Sequence, residues 1–463
     1  MTTGGGTTTR APGPFAADHR LVTAALLSLI TIIAFEAMAI STAMPVVAED
    51  LDAVRSYGLA FSVMLTAELL GIVVSGVWAD RAGPLPALVG GQVLLAAGSL
   101  VAGLAVSFPM LLLGRAVFGL GGGLLVVALY VVIGRAYPEA MRPKVFSWIS
   151  AAWVLPSLVG PPVAGFLTTT LSWRWVFLLV LAPVAITFVI VLGQRRRIEG
   201  TPVEPGADGE RALHGRVARL GLAIAVAAGA MQFGAERLVP LAPLPLALTA
   251  VGFVGVAMLF PRLVPPGTLR LARGLPSVMA SRFLLTAAFN GAITFVPLML
   301  VNERGLTPGV AGLMISVGAL GWSLGSAIQG NDTFAHRKPT LVATGACFLT
   351  AGNAGLAAVA GLGLHHWLVG AAAALAGLGM GLAMSSTSVL SLSLSEPQDH
   401  GSTASSLNLA DVLGSVMGIA SAGAVFAALH DPDGSDTPVF VLIWLAMAGV
   451  AVVCVVAGRR TRP

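Results

Sequence analysis

Apolar runs of bilayer-spanning length recur along nearly the whole chain, and almost every charged residue falls in the short gaps between them. The runs cover residues 22–45, 57–78, 87–106, 110–134, 146–167, 175–192, 217–233, 244–260, 278–301, 309–328, 341–362, 367–392, 404–429 and 439–456. In lipid each backbone polar group must be satisfied inside its own segment, so runs of this length read as helices. The chain is therefore expected to be an all-α integral membrane protein with about fourteen spans. The arithmetic of burial agrees: 56% hydrophobic against 10% charged residues is more apolar surface than one soluble core of 463 residues can hide.

The runs group as six, two and six. Residues 1–20, rich in Thr, Gly and Pro, read as a disordered tail, and 21–193 as a six-helix bundle. A hydrophilic segment at 194–216 reads as a cytoplasmic linker. An extra two-helix hairpin at 217–262, whose runs are short enough to be re-entrant or interfacial, leads through a basic cytoplasmic loop at 263–274 to a second six-helix bundle at 275–457. Residues 458–463 form a basic tail. Most of the 26 Lys and Arg then fall on one side, leaving only Arg55, Arg174, Arg237 and Arg304 on the other. This bias predicts that both termini are cytoplasmic, and the cell membrane is the expected location. It also accounts for the +5 net charge without a nucleic-acid partner. Cys347 and Cys454 both lie inside apolar runs, so no disulfide framework or CxxC site is expected.

Ionisable residues within spans carry the functional signal, because a charge at bilayer depth is costly and usually faces a cavity or a partner. Glu36, Glu68, Arg115 and Asp411 stand out. At the helical rise Glu36 lies ~14 Å, Arg115 ~8 Å and Glu68 ~17 Å from the outer ends of their helices, so they can meet in one cavity. A carboxyl beside Arg115 can change protonation state as water access changes, which is what proton coupling requires; a static ion pair that fixes packing is the simpler reading. Arg282, nearer a helix end, is expected to snorkel to the headgroups.

Two further stretches invite a mechanical role. Three prolines (Pro156, Pro161, Pro162) and two glycines (Gly160, Gly165) interrupt the fifth run, predicting a bent helix with a close, dry contact. After the second run, GVWADRAG holds Gly76, Asp80, Arg81 and Gly83, a candidate clasp in which Gly76 permits helix contact. Gly325 and Gly330 repeat the spacing of Gly71 and Gly76, followed by Asp332, Arg337 and Lys338, hinting at duplicated halves with a site between them. Gln92, Asn290, Trp322, Asn353 and Met384 are candidate walls of a largely apolar cavity.

These motifs resemble those of the major facilitator superfamily, in particular its fourteen-helix drug:proton antiporter group, over nearly the whole chain. GVWADRAG is similar to the superfamily's loop signature, with Pro84, Leu85 and Pro86 where basic residues are usual. LLLGRAVFGLGGG (111–123) resembles the helix-four motif whose arginine, here Arg115, is implicated in proton coupling. PSLVGPPVAG (156–165) resembles the antiporter motif of helix five. FEAMAISTAMP (35–45) resembles the helix-one motif, with Glu36 where aspartate is common. The resemblance implies alternating access of two six-helix bundles and export of an amphiphilic small molecule, driven by the proton gradient without a cofactor; a monomer is expected. A lipid, siderophore, secondary metabolite or sugar fits the same residues. Other classes find less support: there is no GxxxxGK[ST] loop for an ATP-driven pump. The adjacent His365 and His366 do not make a metal site, and HDPDGSD at 430–436 lacks EF-hand spacing.

Overall fold

The computed structural model describes residues 15, 19–138, 141–199, 208–238, 242–396 and 399–462; most of the expected tail and part of the expected linker lie outside them. Fourteen helices account for the apolar runs: α1 (Arg20–Asp50), α2 (Tyr57–Ala82), α3 (Pro84–Gly103), α4 (Phe108–Ala136), α5 (Arg142–Thr170), α6 (Arg174–Gly193), α7 (Asp208–Ala235), α8 (Pro243–Leu259), α9 (Leu275–Glu303), α10 (Pro308–Gln329), α11 (Lys338–Gly361), α12 (Trp367–Ser393), α13 (His400–Leu429) and α14 (Thr437–Arg459). No strand occurs among the described residues. Thirteen of these helices contain a stretch long and apolar enough to cross a membrane; α7 has a shorter apolar portion, Arg219–Ala235. We call the end where α1 finishes the upper end and the end where it starts the lower.

Backbone approach through glycine organises both six-helix groups in the same way. A Cβ added at Gly119 or Gly123 of α4 would lie 2.1 Å from the carbonyl oxygens of Met64 and Glu68 in α2. In α12, Gly377 and Gly381 stand equally close to the carbonyls of Gly318 and Trp322 in α10, at 2.0 and 2.1 Å. The correspondence extends to α3 and α11, where Gly91 and Gly345 meet the carbonyls of Gly121 and Gly379. Such contacts leave no room for side chains, and in lipid, where apolar surface gains little by association, they supply the van der Waals attraction between helices. Two packed units with one internal register are the product of the glycine spacing.

The repeat corrects one expectation. A Cβ at Gly76 would meet nothing within 4 Å, so this glycine is not a helix contact; Gly71, against the carbonyl of Leu120, is. Gly325 and Gly330 repeat the division, the first pressed against the carbonyl of Leu378 and the second meeting only its own helix's carbonyls at ordinary contact distance. Gly83 ends α2 with φ +78, a left-handed turn that glycine takes without strain. The side chains of Asp80 and Arg81 lie outside the described residues.

Buried cores are shared between the halves at the upper end. One cluster joins Ile40 and Met44 of α1, Tyr57 of α2, Phe295 of α9, Met314 of α10, Phe426 of α13 and Trp444 of α14. Toward the lower end the cores separate: Leu29, Leu95, Leu125 and Val184 belong to the first half, and Leu285, Leu349, Met380 and Cys454 to the second. The hairpin α7–α8 adds a side cluster in which Ile224, Ala228 and Val256 pack on Leu69 of α2 and Leu413 and Val416 of α13. It therefore lies along the seam between the halves, on the α2–α13 side.

Candidate functional site

Arg115 of α4 is buried where three helices meet. Its Nη1 donates to Glu36 Oε1 of α1 and its Nε to the carbonyl of Ala60 in α2 at 3.0 Å. Both side chains of the pair are sealed from solvent, and Glu36 Oε2 has no protein partner. Gly119, four residues after Arg115, explains why the guanidinium reaches so far: α4 and α2 are in backbone contact at this level. The two in-span charges that the sequence proposed as partners are thus brought together.

Glu68 and Asp411 keep partial exposure although both sit well inside their helices. Glu68 lies within electrostatic range of Glu36, Arg115 and Asp411, and Asp411 within range of Arg282. The result is a row of charges, Glu36, Arg115, Glu68, Asp411 and Arg282, running from the first half into the second. Arg282 departs from expectation. It is 6% exposed, and its Nη1 bonds Met384 Sδ while Nη2 donates to Ser388 Oγ at 2.5 Å, so it turns inward between α9 and α12. A protein interior with a carboxylate in range outcompetes the headgroup region for this guanidinium.

Among the expected cavity walls, Gln92 and Asn353 are occupied in helix packing. Gln92 donates to the carbonyl of Leu88 and accepts from Thr187 Oγ1, both at 3.3 Å, and Asn353 donates to the carbonyl of Ala288 at 3.1 Å. Asn290, Trp322 and Met384 remain partly exposed. Asn290 donates to Ser415 Oγ at 3.0 Å, and Trp322 packs edge-on to Phe289 with ring centroids 5.4 Å apart.

The proline-rich α5 runs unbroken through Pro156, Pro161 and Pro162. Gly160 rests in ordinary contact with Phe35 and Met38 of α1, while a Cβ at Gly165 would lie 2.3 Å from Gly309 Cα in α10. Pro161 packs on Gly312 beside Thr42. On the opposite side of the seam Gly58 and Gly423 are in backbone contact, Tyr57 donates its hydroxyl to the carbonyl of Thr294 at 3.0 Å, and Arg55 Nε donates to the carbonyl of Ala427 at 2.7 Å. Apart from Gly160, which meets α1 near its middle, these contacts lie at the upper end.

One residue of this seal was missed from sequence. Glu236, just after α7, is 8% exposed, with Oε1 against Gly58 and Gly423 and Oε2 without a partner. Its position after the last apolar residue of a short run made it read as a loop charge. The acids of 430–436 are taken up locally: Asp436 pairs with His430 at 2.7 Å, and Glu303 accepts from the Asp436 amide at 2.9 Å and from Thr437 at 3.0 Å, closing the start of α14.

Two glycine-stitched helical units in contact at one end, with a row of charges between them at mid-depth, define a two-bundle membrane carrier. The Major Facilitator Superfamily profile matches residues 26–418, and the chain belongs to this superfamily of transporters. It is 26% identical over 321 residues to the multidrug transporter protein MdtP of Bacillus subtilis, covering 69% of this chain and 59% of the relative. It is 27% identical over 168 residues to the multidrug efflux pump SdrM of Staphylococcus aureus, covering 36% and 37%. The chain spans about half the length of the curated relatives it matches. Among solved structures, the peptide transporter POT in complex with sulfate superposes with a TM-score of 0.67 at 17% identity, over 95% of this chain and 96% of that one, a likeness of fold.

Proposed function

We propose that the chain is a proton-coupled exporter of amphiphilic small molecules. The observation that carries this reading is the Glu36–Arg115 pair at the head of a row of charges that crosses between the halves. A carboxylate bonded to a buried guanidinium loses most of that attraction when protonated, so proton uptake at Glu36 frees Arg115 and changes what holds α1, α2 and α4 together. The relatives named as a multidrug transporter and an efflux pump support the direction and the substrate class.

With both termini cytoplasmic, the upper end faces outward and the conformation described above is the one that loads substrate from inside. Amphiphiles enter between the lower halves, against Asn290, Trp322 and Met384. Opening the upper seal along α5–α10 and α2–α13 exposes Glu36 to external protons, and release of the proton inward resets the carrier. The gradient supplies the energy. The six-two-six organisation gives the moving bodies, and a single chain suffices as the unit.

Proteoliposomes that carry the protein and an internal pH-sensitive dye test this reading. Addition of a cationic amphiphile is expected to move protons opposite to the substrate, and an uncoupler to abolish accumulation in inverted vesicles. Substrate movement that ignores the proton gradient would leave a facilitator of an endogenous metabolite instead.

A further inference from the structure

Four arginines converge at the lower end of the second half, remote from the row of charges. Arg273 from the α8–α9 connection and Arg459, Arg460 and Arg462 from the end of α14 line a cavity of about 590 Å³ together with Leu271 and Ala272. Among the described residues no carboxylate lines it. Guanidiniums that share a cavity repel one another, and an exposed arginine is free to turn away into water. Here the backbone around them is pinned. The Gly274 amide donates to the Arg460 carbonyl at 2.9 Å, Arg460 Nη1 donates to the Leu271 carbonyl at 3.3 Å, and the buried Ser277 donates to the Ala272 carbonyl at 2.7 Å. Leu271 is held at φ +51, in the left-handed region that a β-carbon disfavours. A strained, tethered turn thus fixes the backbone that carries Arg273 beside that of Arg460.

A second cavity, of about 420 Å³, shares Arg459 and Arg462 with the first. It lies between α11 and α14, lined by Pro339, Ala343, Thr344 and Cys347 on one side and Val455 on the other. From Pro339 to Cys347 the groove follows α11 for ~12 Å along its axis, away from the lower end and into the apolar part of the helices. Beside it Val452, Val453 and Val456 of α14 are exposed, as side chains facing lipid tails are. A cationic chamber continuous with a small-residue groove has the two-part chemistry of a phospholipid: a phosphate, which guanidinium binds bidentately, and an acyl chain.

We propose that this is a binding site for an anionic phospholipid, with the headgroup phosphate among Arg273, Arg459, Arg460 and Arg462 and an acyl chain between α11 and α14. The lipid bridges the turn before α9 to the end of α14, tying the first and last helices of the second half, and the site is independent of what the carrier transports.

The test is native mass spectrometry of the purified protein titrated with phosphatidylglycerol, phosphatidylcholine or inorganic phosphate alone. Phosphatidylglycerol is expected to be retained selectively. The Arg273→Gln/Arg460→Gln pair should weaken it roughly 25-fold, about fivefold per charge removed. Arg195→Gln/Arg196→Gln, at another basic site, should leave it unchanged. Thr344→Trp, which fills the groove without touching a charge, should also reduce phosphatidylglycerol retention and keeps the proposal testable if the arginine pair fails to fold. Equal retention of phosphatidylcholine, equal loss in both arginine pairs, or inorganic phosphate bound as tightly as the lipid would overturn it.

Discussion

Arg115 donates one hydrogen bond to Glu36 and another to the backbone of α2, while the second oxygen of Glu36 has no protein partner. The pair is therefore left open on the anion's side, which makes Glu36 the group with room to accept a proton. Replacing Glu36 by Gln keeps an acceptor for Arg115 and removes the charge. Substrate-linked proton movement in reconstituted vesicles is expected to vanish while the folded protein persists in detergent. Unchanged coupling would remove Glu36 from the mechanism.

Removal of the cation is harsher. Arg115→Ala strips a buried carboxylate of its partner and frees the Ala60 carbonyl, a loss of about 3–5 kcal/mol in comparable pairs. The double variant Glu36→Gln/Arg115→Ala is expected to regain part of that stability, because the uncompensated charge is gone. Thermal unfolding of both variants beside wild type gives the coupling directly. Equal losses in the single and double variants would mean that Arg115 acts through packing alone.

Gly71 and Gly76, both in α2, should behave in opposite ways. Gly71→Ala puts a Cβ 2.3 Å from the Leu120 carbonyl and forces α2 away from α4, whereas Gly76→Ala meets nothing within 4 Å and gains up to about 1 kcal/mol of helix propensity. Their unfolding temperatures should fall on either side of the wild-type value.

At the upper seal, Gly165→Val is expected to wedge α5 from α10, since even a Cβ lies 2.3 Å from Gly309. Spin labels on the exposed Leu171 and Leu364, one in each half, should move apart in this variant and stay fixed in Gly449→Ala, where a Cβ has open space.

Burial holds the Glu236 carboxyl well above the usual carboxylate range, with the adjacent Arg237 opposing the shift. A group raised in the closed state favours closure while it is protonated. Closure is therefore strongest below the ordinary carboxylate value and weakens as pH rises through the raised one. The distance between the same two labels should grow over that range, and Glu236→Gln should flatten the response. An unaltered pH profile in the variant would show that another group drives it.

How the membrane helices are read and how they meet are separable questions. The runs, the hairpin and the in-span charges were legible because lipid admits few backbone solutions and penalises ionisable groups at every depth, so a linear pattern suffices. That Arg115 meets Glu36 was accessible from depth along two helices. That Arg282 turns inward was not, because snorkelling and burial demand the same residue at the same height and differ only in what stands opposite, here Met384, Ser388 and Asp411. Gly71 and Gly76 make the same point: one spacing, two neighbourhoods.

The amino-acid sequence alone determined that this chain crosses a membrane many times, in halves flanking a hairpin, with carboxylates and arginines inside its spans. Only the tertiary structure decided that the halves meet at the upper end, that Glu236 of the hairpin is sealed between Gly58 and Gly423, and that four arginines share one chamber. Hydropathy and charge are properties of single positions and act through the solvent they require. Contact between helices depends on their rotation and offset, and those are settled by the packing of the whole bundle.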